Sequence, residues 1–297
     1  MKSSSTTGII LVLCAAVLWG TTGTTQSFAS SALSPYWVGA LRLGIASLFF
    51  CVYAGGRLGG RRLARELLGI PWLWAVLAGA CMAGYNLAFF AGVRATGVAV
   101  GTALALGSGP VWAGFLQMVV ARRAPGSGWW LGTMLAVAGG ILMVLGRGGD
   151  LRADATGITL CLVSGLSYAI YALVSKHLVG RNDPGAVTLV VFGVGALIAM
   201  PVAWAWVGGP DIAGRGWAVV VFLGVAATGI AYLLFNTGLR GIAAASAVSL
   251  ALMEPLTAFL LAIVVVGERP AASAFFGLVC VLAGLALVIR AEMRRQP

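Results

Sequence analysis

The chain has 297 residues, 60% of them hydrophobic and 9% charged, with a mean hydropathy of +1.00. A soluble domain carries about a quarter charged residues, so this composition excludes one and indicates an integral membrane protein. The formal charge of +11 does not argue for nucleic acid, because the basic residues lie in short segments between apolar runs and not on one folded face.

Ten apolar windows follow one another, at about 8–28, 35–54, 71–92, 97–119, 128–146, 156–177, 185–207, 216–237, 243–266 and 271–290. Each is close to the ~20 residues that a helix needs to cross a hydrocarbon core of ~30 Å. The first window, with Lys2 before it and the small residues Phe28-Ala-Ser-Ser-Ala32 after it, has the outline of a signal peptide. An internal counterpart argues for a span instead. Gly8 recurs as Gly157 and Pro35 as Pro184, both 149 residues on.

The recurrence continues along the chain. Gly92 and Arg94 correspond to Gly238 and Arg240, Pro110 to Pro255, Pro125 to Pro270 and Gly132 to Gly277. The expected organisation is therefore two five-span copies, residues 1–150 and 151–297. Basic residues orient them. Segments on the side of the N terminus hold 13 of the 19 Lys and Arg residues, the opposite side holds 5, and Arg42 lies within a span. This bias puts both termini in the cytoplasm. Because five is odd, the second copy enters the membrane from the other face. The predicted fold is an all-α integral membrane protein of ten transmembrane helices, arranged as two inverted five-helix repeats around a central cavity. Secondary transporters are built on this plan, with the solute site near mid-membrane where the copies meet.

Leu18-Trp-Gly20 in the first span, Arg42 in the second, Ser249-Leu-Ala-Leu-Met-Glu-Pro-Leu-Thr257 and Val266-Gly-Glu-Arg269 complete a pattern over nearly the whole chain. In these residues and in its topology the chain resembles the drug/metabolite transporter superfamily, EamA type, and within it is most similar to YddG-type exporters of amino acids. The resemblance implies a multi-pass protein of the cell inner membrane that exports aromatic and large neutral amino acids by alternating access. It departs from the pattern at the end of the fourth span, where Arg122-Arg-Ala-Pro125 stands in place of an acid-bearing turn like Gly267-Glu-Arg-Pro270.

Two charges lie deep within spans. Glu254 offers three roles: carrying a proton, pairing with a substrate amine, or capping backbone donors freed by Pro255. Its counterpart in the first copy, within Gly107-Ser-Gly-Pro110, has no acid. Arg42, ~10 Å into its helix at 1.5 Å per residue, can attract a substrate carboxylate, snorkel outward, or serve a structural acid or carbonyl. Pro110 and Pro255 are read as hinges, with a broken or flexible middle expected in the fourth span as well as the ninth.

Trp19 and Thr21, with Thr22 beside them, in the first span, Tyr85, Asn86 and Phe89 in the third, Trp112 in the fourth, Tyr168 and Tyr171 in the sixth, and Tyr232 and Asn236 in the eighth are the candidate substrate-binding residues. They are polar or amphipathic groups at depths where lipid would waste them, and they suit a small zwitterion with a bulky side chain; packing between helices is the plainer alternative for each. The tryptophans near span ends, Trp72, Trp74, Trp129, Trp130, Trp204, Trp206 and Trp217, are assigned to the headgroup level. The glycines of Gly128-Trp-Trp-Leu-Gly132 are read as helix packing, and Arg57-Leu-Gly-Gly-Arg-Arg62 and Gly146-Arg-Gly-Gly149 as turns. No triad, paired carboxylate or His/Cys metal set is visible, so an enzyme or lipid-handling protein is the weaker alternative and no cofactor is expected. A proton-coupled multidrug exporter differs only in its substrate. The expected partners are the lipid bilayer and a small-molecule substrate, with a monomer as the working unit.

Overall fold

The computed structural model describes residues 5–26, 28, 33–120, 122–145, 154–212, 214–267 and 271–294. In hydrocarbon every backbone N–H and C=O needs an internal partner, and a helix supplies one within each segment. The described chain accordingly folds into helices: α1 (Ser5–Gln26), α2 (Pro35–Leu58), α3 (Gly60–Gly69), α4 (Trp72–Thr96), α5 (Val98–Val120), α6 (Ser127–Leu145), α7 (Ala155–Val179), α8 (Pro184–Val207), α9 (Arg215–Gly224), α10 (Ala231–Gly238), α11 (Ala244–Leu250), α12 (Met253–Leu261) and α13 (Ala272–Met293). Among the described residues nine helical stretches are long and apolar enough to cross a membrane, and α6 contains a shorter apolar tenth, Ser127–Met143.

Local chemistry sets several ends. Pro184 opens α8 with its φ already helical, while the Asp183 carboxylate accepts from the backbone N–H of Gly185 at 3.0 Å and Ala186 at 3.2 Å. Asp154 caps α7 in the same way, accepting from Gly157 N–H at 2.7 Å. The segment Arg57–Arg62 does hold a turn, confined to one residue: α2 runs to Leu58, Gly59 turns the chain at φ +74°, and α3 starts at once. The sequence reading missed α3, a short amphipathic helix with Arg61, Arg62 and Arg65 on one side and Leu63 and Leu67 packed against the core on the other. Gly146–Gly149 lies outside the described residues.

Two spans are irregular. The eighth runs α9, a π-helical turn over Val225–Ile230, then α10. The ninth runs α11, a break at Ala251 and Leu252, α12, then a π-helical turn over Ala262–Val266. Pro255 has no N–H to offer the Ala251 carbonyl, which instead accepts from Glu254 N–H at 2.9 Å. The fourth span departs from expectation here. Its helix α5 continues through Pro110 without interruption, so the broken middle exists only in the second copy.

Helix neighbours carry the inverted symmetry. The first span, α1, packs on α10 and α12, the eighth and ninth; the sixth, α7, packs on α4 and α5, the third and fourth. The second and seventh spans pair as α2 with α8, and the fifth and tenth as α6 with α13. Exchanging the two copies leaves this set of contacts unchanged, as an in-plane pseudo-twofold requires. The glycines of the repeat sit at the crossings: a Cβ on Gly8 would lie 2.9 Å from the Gly238 carbonyl oxygen, and one on Gly92 3.1 Å from that of Gly157. Gly132 also packs within the chain, against Gly284, whereas Gly128 faces open space. Trp72, Trp74, Trp204, Trp206 and Trp217 are exposed near helix ends, but Trp129 is buried, with its ring against Gly114.

Candidate functional site

Where the two copies meet, a cavity of ≈ 490 Å³ opens between α1, α2, α4, α5, α6, α7, α10 and the α11–α12 break. Its wall uses the late turns of α1 and α4, from Trp19 to Gln26 and Tyr85 to Val93, and the early turns of α2 and α5, from Pro35 to Arg42 and Thr102 to Pro110. The cavity therefore lies toward the end of the bundle that carries the α1–α2 and α4–α5 connections.

The opposite end is sealed by polar bonds. Lys176 Nζ donates to the Leu239 carbonyl, Arg240 donates to the carbonyls of Val179 and Asn182 at 2.7 Å each, and Ser5 Oγ to that of Gly241 at 3.1 Å. The Glu292 carboxylate on α13 accepts from Ala243 N–H at 2.9 Å and from Ser246 Oγ, holding the start of α11.

Aromatic rings form the floor and one side of the cavity. Trp19 sits 4.9 Å from Tyr232 and edge-on to Tyr168 at 6.3 Å, and Tyr85 lies 5.3 Å from Tyr168 and 6.2 Å from Phe89 between ring centroids. The backbone of α1 reaches this depth because position 20 is glycine: a Cβ there would stand 2.4 Å from Thr257 Cβ and 2.7 Å from the Glu254 carbonyl oxygen. The indole N–H of Trp19 and the hydroxyl of Tyr168 are buried with no hydrogen-bond partner. Such atoms cost ~1–3 kcal/mol each when left unmade.

Of the residues singled out from sequence, the fold brings Trp19, Tyr85, Asn86, Phe89, Tyr168, Tyr232, Arg42, Glu254, Pro110 and Pro255 to this one cavity. Four others stand elsewhere. Thr21 turns its hydroxyl back onto the Leu18 carbonyl at 2.7 Å, while Thr22, named with it from sequence and 100° further round α1, faces the cavity. Trp112 packs against the hydrophobic core two residues beyond Pro110. Tyr171 is fully buried behind Tyr168, where it donates to Asn236 Oδ1 at 3.3 Å. Asn236 in turn donates through Nδ2 to Thr188 Oγ1 at 2.8 Å, so this trio ties α7, α8 and α10 together behind the wall. Gln26, Thr102, Phe90 and Met143 line the cavity and were not anticipated. The two polar ones interrupt apolar spans and carried a signal; Phe90 and Met143 look the same in sequence as lipid-facing residues.

The electrostatics are sparse. Arg42 donates from Nε to Thr228 Oγ1 at 2.9 Å, a hydroxyl presented by the π-helical turn of the eighth span. Glu254 occupies the first turn of α12, half-buried. The ion pair found among the described residues, Arg57 with Asp183, is remote from both, where α2 ends and α8 begins. Among the described residues no cluster of three or more His, Cys, Asp or Glu is placed to hold a metal ion.

The model of the EamA-like transporter family matches this chain twice, over residues 6–145 and 155–290. The chain belongs to the EamA-like transporter family. It is 38% identical over 295 residues to the uncharacterized transporter YwfM of Bacillus subtilis (strain 168), covering 97% of this chain and 95% of that protein. An uncharacterized transporter of Archaeoglobus fulgidus is 29% identical over 248 residues, with 83% and 82% covered. A crystal structure superposes with a TM-score of 0.84 at 19% identity, over 99% of this chain and 100% of the other, which establishes a common fold. The EamA match and the membrane-length helices make this a multi-pass transporter of the drug/metabolite superfamily. The two matched stretches place one EamA unit on each side of the pseudo-twofold that the helix contacts display.

Proposed function

We propose that this EamA transporter exports small amphipathic metabolites, foremost amino acids with aromatic or large neutral side chains, across the cytoplasmic membrane by alternating access. One observation carries the reading: a one-ended cavity of ≈ 490 Å³ at the junction of the repeats, walled by Trp19, Tyr85, Phe89, Tyr168 and Tyr232 and supplied with only a few polar groups. That combination suits a small solute with an apolar body and a polar head. With both termini in the cytoplasm, as the arginine bias implies, the open end faces outward and the bonds of Lys176, Arg240 and Glu292 close the cytoplasmic side. Export then requires those bonds to part while α1, α2, α4 and α5 close over the outer end, with the units 1–150 and 151–297 rocking against each other.

The test is uptake of radiolabelled phenylalanine, methionine and leucine by proteoliposomes holding the purified chain, with empty liposomes as reference. Saturable uptake that unlabelled amino acid accelerates by counterflow is the expected result. Movement of cationic dyes with no movement of any amino acid would make the chain a multidrug carrier instead.

A further inference from the structure

Two groups of opposite charge face the cavity, and neither is in an ion pair among the described residues. The Glu254 carboxylate has no hydrogen bond or ion pair to any described residue, although it lies at the middle of the ninth span. Arg42 spends Nε on Thr228 and leaves both terminal nitrogens without a hydrogen-bond partner among the described residues. The two do not form an ion pair with each other, yet they are close enough for their charges to interact. A lone charge at membrane depth is costly and is kept where it meets a solute, an ion or water.

They also sit on different copies. Arg42 belongs to α2 of the first and Glu254 to α12 of the second, and both line the cavity together with Trp19, Tyr85 and Tyr168. A solute with a single charge would satisfy one group and leave the other uncompensated. One carrying an ammonium and a carboxylate on neighbouring atoms satisfies both at once.

We propose that the cavity holds an α-amino acid in one fixed polarity, its ammonium on Glu254 and its carboxylate on Arg42, so that the zwitterion is selected over molecules bearing only one of the two charges. The proposal rests on the amino-acid reading above and adds which residue recognises which end. The side chain then occupies the aromatic wall, which sets its size but not its orientation. Bridging the two copies through the solute also gives loaded and empty carriers different contacts between their halves, the requirement for a ligand to shift a conformational equilibrium.

The test uses the full chain in lipid nanodiscs and three probes that share a phenyl group: L-phenylalanine, 3-phenylpropionate, which lacks the amine, and phenethylamine, which lacks the carboxylate. Competition against radiolabelled L-phenylalanine reads the parent, and direct binding of labelled analogues reads the variants. In the parent, phenylalanine should bind at least about tenfold tighter than either analogue, the scale of one hydrogen bond to a charged group. Glu254→Gln should erase the advantage over 3-phenylpropionate and keep that over phenethylamine, and Arg42→Gln should do the reverse. A folding defect cannot produce this crossed pattern, because each variant retains one analogue. Should a neutral variant fail to fold, Glu254→Asp and Arg42→Lys carry the test: preference for the zwitterion must survive with lowered affinity, and its loss overturns the proposal. If phenylalanine binds the parent but the order of the three probes is the same in both neutral variants, the assignment of ends is wrong while the amino-acid reading stands. If the parent binds no amino acid at all, the amino-acid reading fails and this assignment with it.

Discussion

Gly139 on α6 and Gly277 on α13 approach so closely that a Cβ on either would stand 2.6 Å from the carbonyl oxygen of the other. Gly132 and Gly284 repeat the relation two turns away, at 2.7 and 2.5 Å. This seam joins the fifth span to the tenth, and small residues are what allow helix backbones to meet in lipid, where apolar side chains gain little by leaving it. Gly139→Leu is expected to destabilise the protein by about 1–3 kcal/mol or more through overpacking, seen as a lowered melting temperature in detergent. Gly140→Ala, one residue on with nothing within 4 Å, should be neutral or stabilising by up to ~1 kcal/mol. Equal melting temperatures for both variants would contradict the seam.

Packing and lining should separate in Asn236 and Phe89. Asn236→Leu strands the Tyr171 hydroxyl in a buried site and leaves that of Thr188 only its bond to the Pro184 carbonyl, at a cost of about 1–3 kcal/mol, and should lower stability while leaving the relative affinities of different solutes unchanged. Phe89→Ala removes a ring from the cavity wall and should weaken solute binding more than it lowers the melting temperature. Thermal unfolding and equilibrium binding on the same preparations decide the matter, and the reverse pattern would place the site behind the wall.

The two repeat-related prolines should differ in effect. Pro255 stands just after a real break and Pro110 inside a continuous helix. Restoring the missing N–H with Pro255→Ala is expected to extend the helix through Ala251 and slow counterflow, whereas Pro110→Ala should alter it less. Counterflow rates in proteoliposomes measure both, and a larger loss from Pro110→Ala would move the hinge to the first copy.

Energy coupling turns on Glu254, since its repeat partner position is Gly109 and offers no second acid. Facilitated export down the solute gradient is expected, with Glu254 binding solute and not shuttling a proton. Glu254→Gln should then weaken counterflow and any uptake driven by a pH gradient in parallel. Loss of the gradient-driven component alone, with counterflow intact, would make Glu254 the proton site.

Orientation is open to labelling in cells, using a background in which the five native cysteines are replaced by alanine. Arg62→Cys on α3 and Gly209→Cys between α8 and α9 both fall at exposed positions. A membrane-impermeant thiol reagent added outside should modify position 209 and spare position 62. Modification of position 62 would reverse the assigned topology.

The sequence by itself determined the membrane class, the number of apolar spans, the two-copy plan and the family, because these depend on quantities that add along a chain: hydropathy over about 20 residues, spacing between repeated glycines and prolines, and the placement of arginines. It also brought forward polar and aromatic residues, and two prolines, that the fold gathers at one cavity, since a polar or aromatic group deep in an apolar span has few other places to be. Only the tertiary structure decided which way each one turns. Thr21 and Thr22, or Tyr168 and Tyr171, are equally amphipathic in sequence, yet the fold sends Thr22 and Tyr168 to the cavity, turns Thr21 onto its own helix and buries Tyr171 behind the wall. The asymmetry of the hinges was equally hidden: Pro110 and Pro255 occupy matching positions, yet α5 stays whole while the ninth span opens at Ala251 and Leu252. Helix α3 escaped notice because its ten residues are too few and too polar to register as a span, and its leucines find a partner only once α2 and α8 stand beside it. Local composition sets what a segment is, but the packing of distant segments sets which of its faces does the work.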